Sequence, residues 1–390
     1  MFQEVRKAVK DARTRRDYYD YNLLAAIILL VAFGLIILYS ASSYDAASNA
    51  KMANDSMWYL KHQAPISAIA VVLCVFISRY DYHYLKSWAG VLYVISLILM
   101  MMVRLTPLGV SANGSRRWLK LGVQFQPAEI AKIAVIIFIP YLAIMLGRKI
   151  NTLKGTLFLL FWGAIPAAFA WYFTDNLSTG LIIGAITMVI IFVSHPKTKP
   201  FMILLAVVAV VAVIIVIYAS TLEYDPTGNF RLRRVQVWLH PEQYSAFGGY
   251  QVIQGLYAIG SGGLFGKGLG NSAQKISSIP EAQNDMIFAI ICEELGIFGM
   301  LLVLLLFGYL LYRLFFIAQN APDLFGSLMV TGIMAHIALQ VILNIAVVIN
   351  LIPTTGITLP FFSYGGTSSL FQMAELAIAL SVSRRIKLKD

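Results

Sequence analysis

Ten apolar segments run through this chain, near residues 22–42, 64–78, 87–103, 128–146, 155–173, 178–194, 201–219, 286–312, 324–349 and 355–383. Crossing a bilayer takes about 20 predominantly apolar residues in a helix. A segment in hydrocarbon must satisfy its own backbone hydrogen bonds, so these segments read as helices. Only 13% of the residues are charged and the mean hydropathy is +0.75, against about 25% charge in a soluble domain. The chain therefore reads as an all-α polytopic membrane protein with about ten transmembrane helices. The last segment is the weakest, because Pro360 and Gly365-Gly366 interrupt it. They predict a broken helix, which is tolerated at membrane depth only if buried in protein or lining a wet cavity.

The net charge is +11. A nucleic-acid partner would explain that number, but the placement of the charges points to topology instead. If the N-terminus is cytoplasmic, segments 1–21, 79–86, 147–154, 195–200, 313–323 and 384–390 are inside and hold 18 of the 30 Lys and Arg. Their basic density is about threefold that of the longer outside segments. Both termini are then cytoplasmic, and anionic membrane lipids supply a secondary attraction. The basic start precedes a segment long enough to span, with no small-residue cleavage site, so the first helix reads as an uncleaved anchor. The organisation follows: a basic N-terminal segment 1–21, one ten-helix domain 22–383, and a basic tail 384–390. A large extracytoplasmic loop, 220–284, joins helices seven and eight. It is too long to be structureless. Tyr250–Ile259 has helical apolar spacing and reads as an interfacial amphipathic helix. Gly260–Gly270 holds six glycines and reads as a flexible or tightly turned loop. Cys74 and Cys292 fall in apolar segments and read as small core residues.

Against this background the acids stand out. Ionisable groups at membrane depth are costly and are functional candidates by default. Asp285 sits where the large loop enters an apolar helix. It could be an N-cap, a role Asn284 could fill equally, or a general base whose pKa desolvation raises. Glu293 and Glu294 lie about 12–13 Å deeper along the same helix, with Glu294 on the opposite face, so they read as structural partners of polar groups in the bundle. Glu129 and Lys132 share a helix face at i,i+3. They are either an ion pair that allows both charges into the membrane or a polar wall of a substrate cavity. The outer residues Arg116, Arg117, Lys120, Arg231, Arg233, Arg234, Lys267 and Lys275 break the positive-inside pattern. They either anchor headgroups or bind phosphate, which guanidinium forks grip bidentately. Arg117, Arg233 and Arg234 are the preferred phosphate ligands. Ser363 stands in the interrupted last segment, with Gln340 and Asn344 one turn apart on the segment before it. The histidines His62, His83, His195, His240 and His336 are scattered, and no metal spacing is present.

In order along the chain come Arg117-Trp118, Gln126-Pro127-x-Glu129-x-x-Lys132, Gly249-Tyr250-Gln251, Gly262-Gly263-x-x-Gly266-x-Gly268, Pro280-Glu281-x-x-x-Asp285-x-Ile287-Phe288, Glu293-Glu294-x-Gly296 and Leu359-Pro360-x-x-Ser363-x-Gly365-Gly366. This set resembles the SEDS proteins (shape, elongation, division and sporulation), from the first helix to the last. Ala128, Met286 and Asn176 depart from the usual pattern, the last in a place where the family commonly has Asp; none of these touches Asp285, Glu129 or Lys132. The resemblance implies ten membrane helices and an inverting peptidoglycan glycosyltransferase of the bacterial cytoplasmic membrane. Such an enzyme polymerises lipid II at the outer face beside a class B penicillin-binding protein. It implies that Asp285 is the catalytic residue and that Glu129 and Lys132 are the family's helix-four Glu and Lys; read from the residues themselves, Arg117, Arg233, Arg234 and Ser363 join that pair as substrate-side candidates. It does not choose among elongation, division and sporulation. It makes no cofactor certain; a divalent cation, Mg or Mn, could share the leaving-group charge with the basic residues. Two rival readings stay open: a flippase or transporter of lipid-linked precursors, and a non-catalytic scaffold.

Overall fold

The structure, a computed structural model, describes residues 18–112, 115–222, 230–244, 248–276 and 279–387. Most of the basic N-terminal segment and the end of the tail lie outside these residues. The bundle helices are α1 (Tyr21–Ser48), α2 (Trp58–Ile77), α3 (Tyr84–Leu105), α4 (Pro127–Leu146), α5 (Leu153–Phe173), α6 (Leu177–Ser194) and α7 (Lys199–Thr221), followed after the large loop by α10 (Ile287–Asn320), α11 (Leu324–Val348) and α12 (Gly366–Ser383). The loop itself carries α8 (Phe230–Leu239) and α9 (Gly249–Gly262). All but α12 of the ten bundle helices are long and apolar enough to cross a membrane.

The tenth segment is shorter than expected. Its first part, 355–365, continues a non-helical run that begins at Leu351, and helix forms only from Gly366. Pro360 cannot donate to a helical ladder, and Phe361 takes a left-handed conformation (φ 66°). Between Ile357 and Ser363 the non-helical stretch is largely buried in protein, as such backbone must be at membrane depth. A second departure is a small sheet between α3 and α4. Strands β1 (Gly109–Ala112), β2 (Ser115–Leu121) and β3 (Val123–Phe125) pair antiparallel in that order.

Helix α4 lies at the centre, against α3, α5, α6 and α11. Pro127 opens it at a position whose N–H has no helical partner anyway. Most of its residues are buried. By contrast α7 is exposed nearly all round, as suits a helix surrounded by lipid.

Helix α10 is broken inside its apolar run. Gly296 takes φ 63°, ψ −156°, which unhooks the helical hydrogen bonds on either side. The glycine-rich loop re-satisfies them. The freed carbonyls of Glu293 and Glu294 accept from the N–H groups of Lys267 and Gly268, both at 2.9 Å. The freed N–H of Ile297 donates to Gly263 O at 3.0 Å. This stitch requires Gly266: at φ 75°, an added Cβ would lie 2.2 Å from the Glu294 carbonyl oxygen. Of the glycines of 260–270, Gly262 and Gly266 thus serve close backbone approach.

Candidate active site

One cavity of about 380 Å³ gathers Arg117, Glu129, Lys132, Arg234, Asp285 and Ser363. Residues nearly 250 positions apart in sequence meet there because three features converge on it. The sheet brings Arg117, the N-terminal turns of α4 bring Glu129 and Lys132, and the non-helical stretch before α12 forms the wall facing Asp285.

Asp285 is not a helix cap. Helix α10 starts at Ile287 behind Met286, with no side-chain cap bond. The chain around Asp285 is instead pinned by its neighbours. Asn344 Nδ2 donates to Asp285 O and to Ile357 O, both at 2.8 Å. Ser363 Oγ donates to Asn284 O at 2.6 Å, and Tyr364 N donates to Gln283 O at 2.9 Å. The Asp285 carboxylate accepts from Gln251 Nε2 at 3.3 Å. Burial raises the Asp285 pKa from 3.8 to about 6, helped by the nearby charge of Glu281 and opposed by Arg234 and the Gln251 bond. A carboxyl in that range is ionised at neutral pH and is still basic enough to take a proton.

Ser363 lines the cavity, but its hydroxyl is largely committed. It donates to Asn284 O and accepts from Leu359 N at 2.8 Å. Its observed work is to hold the Asp285 segment in place. Asn344 does the same from α11, a role the sequence reading did not assign. The signal available was a lone Asn within an apolar helix, one turn from Gln340. Replacing Asn344 by Ala leaves two buried carbonyls short of a donor, about 1–3 kcal/mol each at most. If Asp285 is a general base, the expected result is roughly tenfold lower turnover with little change in KM, since a mobile carboxylate is misplaced without loss of substrate contacts. Steady-state kinetics on the purified variant check this; a changed KM at unaltered turnover would contradict it.

Glu129 and Lys132 are paired. Lys132 Nζ lies 2.9 Å from Glu129 Oε1, with both side chains nearly excluded from solvent. Ser368 Oγ adds a weak bond to Glu129 at 3.4 Å. The ion pair is thus formed, and the same two residues line the cavity.

Of the three preferred arginines, Arg117 and Arg234 line the cavity, whereas Arg233 does not. Burial disfavours the charged forms of both lining guanidinium groups, and Arg117 also repels Arg234; Asp175 offsets this for Arg117 and Asp285 for Arg234. Arg117 Nη2 donates to Ser115 Oγ at 3.1 Å, while its Nε is buried with no hydrogen-bond partner among the described residues. Arg234 Nη1 donates to Thr354 O at 3.1 Å. Two mutually repelling cations on one wall, one with an unspent buried donor, suit an anionic ligand.

Lys267 and Lys275 are withdrawn from that role. Lys267 Nζ is 2.6 Å from Glu293 Oε1, and Lys275 Nζ is 2.8 Å from Glu294 Oε1. Ser272 also binds Glu293, and Ser40 Oγ donates to Glu294 at 2.6 Å. Arg116 is likewise occupied, donating to Thr106 O at 2.6 Å. Glu293 and Glu294 are thus structural, each with its own lysine. Among the described residues, no three His, Cys, Asp or Glu side chains converge to hold a metal.

This arrangement, read with the fold, can be compared with known proteins. The family model for cell cycle proteins of the FtsW, RodA and SpoVE type matches residues 21–388. The chain belongs to the SEDS family. Stage V sporulation protein E of Bacillus subtilis is 38% identical over 95% of this chain and 98% of that protein. The probable peptidoglycan glycosyltransferase FtsW of Trichlorobacter lovleyi is 34% identical over 95% of this chain and 94% of its own length. Among solved structures, a chain of a peptidoglycan synthase complex that coordinates polymerisation and crosslinking superposes with a TM-score of 0.74 at 27% identity, covering 94% of this chain and 98% of that one. Thermus thermophilus RodA gives 0.65 at 26% identity, covering 95% and 98%. The SEDS assignment fits the ten-helix bundle and makes this a multi-pass membrane protein.

Proposed function

We propose that this SEDS protein is a peptidoglycan glycosyltransferase that polymerises lipid II, with Asp285 as general base, at the outer face of the bacterial cytoplasmic membrane. The observation that carries the reading is a buried carboxyl, raised to about 6, that shares one cavity with the guanidinium groups of Arg117 and Arg234. The names of the curated relatives support the reaction class. In the reaction, the acceptor sugar's 4-hydroxyl gives its proton to the Asp285 carboxylate as its oxygen attacks the donor's anomeric carbon. The bond from that carbon to the pyrophosphate oxygen breaks, and the lipid pyrophosphate leaves with the electron pair. One carboxylate on the attacking side suffices for inversion. The leaving group needs cations rather than an acid, and Arg117, Arg234 and Lys132 face the same space. A divalent cation, if one takes part, would find the carboxylates of Asp285 and Glu281 here, with Glu129 already paired to Lys132, together with substrate phosphates.

The positive-inside count supports an orientation with both termini in the cytoplasm and this cavity outside. A class B penicillin-binding protein is the proposed partner, since the structural neighbour comes from a complex that couples polymerisation to crosslinking. The experiment gives lipid II to the purified protein in vesicles. Glycan strands are the expected product. Movement of lipid II between leaflets without strands would favour a flippase, and neither outcome would favour a scaffold.

The arginine assignment has its own test. Arg117→Lys and Arg234→Lys keep the charge but lose the fork. Each is expected to raise the apparent KM for lipid II about 10- to 150-fold, the range of a lost charge-assisted hydrogen bond. Arg233→Lys is expected to behave like the wild type. Wild-type KM in both lining variants would make these residues headgroup anchors.

A further inference from the structure

A second cavity, of about 480 Å³, opens at the far end of the bundle. Helix α4 links the two: Glu129 and Lys132 line the first cavity, Ala143 and Ile144 the second. Its 20 residues span roughly 30 Å, a bilayer's hydrocarbon thickness. The second cavity therefore lies at the opposite membrane face, among the inner ends of α3, α4, α6 and α11. Lys86 and Arg148 stand on its wall, beside Ile144, Ile150 and Phe325.

Neither cation has a hydrogen bond or ion pair through its side chain among the described residues. Lys86 Nζ is instead held over the Phe325 ring, 6.0 Å from its centroid. The one acid on the wall, Asp323, is already engaged. It accepts from Tyr82 OH at 2.7 Å, His83 Nε2 at 3.0 Å and Gly326 N at 2.8 Å. The site thus joins two unspent positive charges to an apolar wall at a membrane face. We propose that this cavity binds the headgroup of an anionic phospholipid, its phosphodiester between Lys86 and Arg148 and its glycerol and upper acyl chains against Ile144, Ile150 and Phe325.

The chemistry favours a lipid over free phosphate. A free anion gains nothing from the apolar wall, and a dianion would meet the Asp323 carboxylate, whereas a phosphodiester carries a single negative charge. Basic pockets between transmembrane helices on the cytoplasmic side recognise anionic headgroups in this way. Only the choice of leaflet rests on the orientation proposed above. The binding claim is independent of the glycosyltransferase reading, because neither residue touches the Asp285 cavity.

The test uses the full chain, purified and stripped of lipid in a neutral detergent, then reconstituted in nanodiscs of stated composition. Bound lipids are counted by native mass spectrometry, and the thermal midpoint is followed in parallel. Phosphatidylglycerol is expected to be retained and to raise the midpoint; phosphatidylcholine is not. The paired change Lys86→Gln with Arg148→Gln is expected to weaken phosphatidylglycerol binding about 30-fold, at roughly fivefold per basic residue near a membrane surface. Lipid II turnover in neutral detergent should not change. The charge-keeping pair Lys86→Arg with Arg148→Lys is expected to bind like the wild type, and it keeps the test decisive if the Gln pair does not fold. Excess inorganic phosphate should not displace the lipid from the wild type. Unchanged binding in the Gln pair, equal retention of phosphatidylcholine, or displacement by phosphate would each overturn the proposal, the last in favour of a free-anion site.

Discussion

Asp285→Asn is expected to lower glycan polymerisation by about 100-fold or more, within the usual contribution of a general base. Asn keeps the size of the side chain and an oxygen for the Gln251 bond, but it cannot take the proton. The loss should come without unfolding. The carboxyl's pKa in the folded protein is about 6 against an ordinary 3.8, so the folded state binds its proton more tightly. Ionising this carboxyl therefore disfavours the folded state. That cost begins as pH rises past 3.8 and is complete above about 6, on the order of 3 kcal/mol. Asn removes it, so the thermal midpoint at neutral pH should equal or exceed that of the wild type. Turnover near wild type in a folded Asn variant would remove Asp285 from the mechanism.

The Glu129–Lys132 pair carries the second large expectation. The two charges are 2.9 Å apart and nearly excluded from solvent. Removing one leaves the other buried and uncompensated. Glu129→Gln and Lys132→Met are each expected to destabilise the protein by about 3–5 kcal/mol. The double change should cost clearly less than the two single changes added, because it strands no charge. A double-mutant cycle by thermal unfolding in detergent measures the coupling. Simple additivity would refute the pairing.

Much of this was legible before any coordinates. Long apolar runs report bilayer crossing directly, so α1 to α7, α10 and α11 fall where hydropathy puts them, with ends shifted by several residues. The i,i+3 spacing of Glu129 and Lys132 forecasts a shared face, and it holds. Asp285 stands out because few acids enter apolar helices. What escaped depends on contacts distant in sequence. The β1–β3 sheet is short and lies in a polar stretch with no clear alternation, so its pairing has little local signature. Lys267 and Lys275 look like free outer cations until the loop folds back on the break at Gly296 and hands them to Glu293 and Glu294. Arg233 and Arg234 are indistinguishable as neighbours in sequence, yet adjacent residues on a helix point about 100° apart, and only Arg234 lines the cavity. Ser363 and Asn344 gain their roles from carbonyls of residues 284 and 285, which no spacing rule could supply.

The central claim is that the Asp285 carboxylate takes the acceptor's proton. The most direct measurement is the pH dependence of kcat/KM for lipid II, from purified protein at fixed detergent and salt. A base must be deprotonated to act, so activity should rise with pH, reach half its plateau near 6, and level off above. In Asp285→Asn that inflection should vanish from the residual rate. A profile that keeps its inflection in the Asn variant would contradict the claim and assign the titrating base to another group.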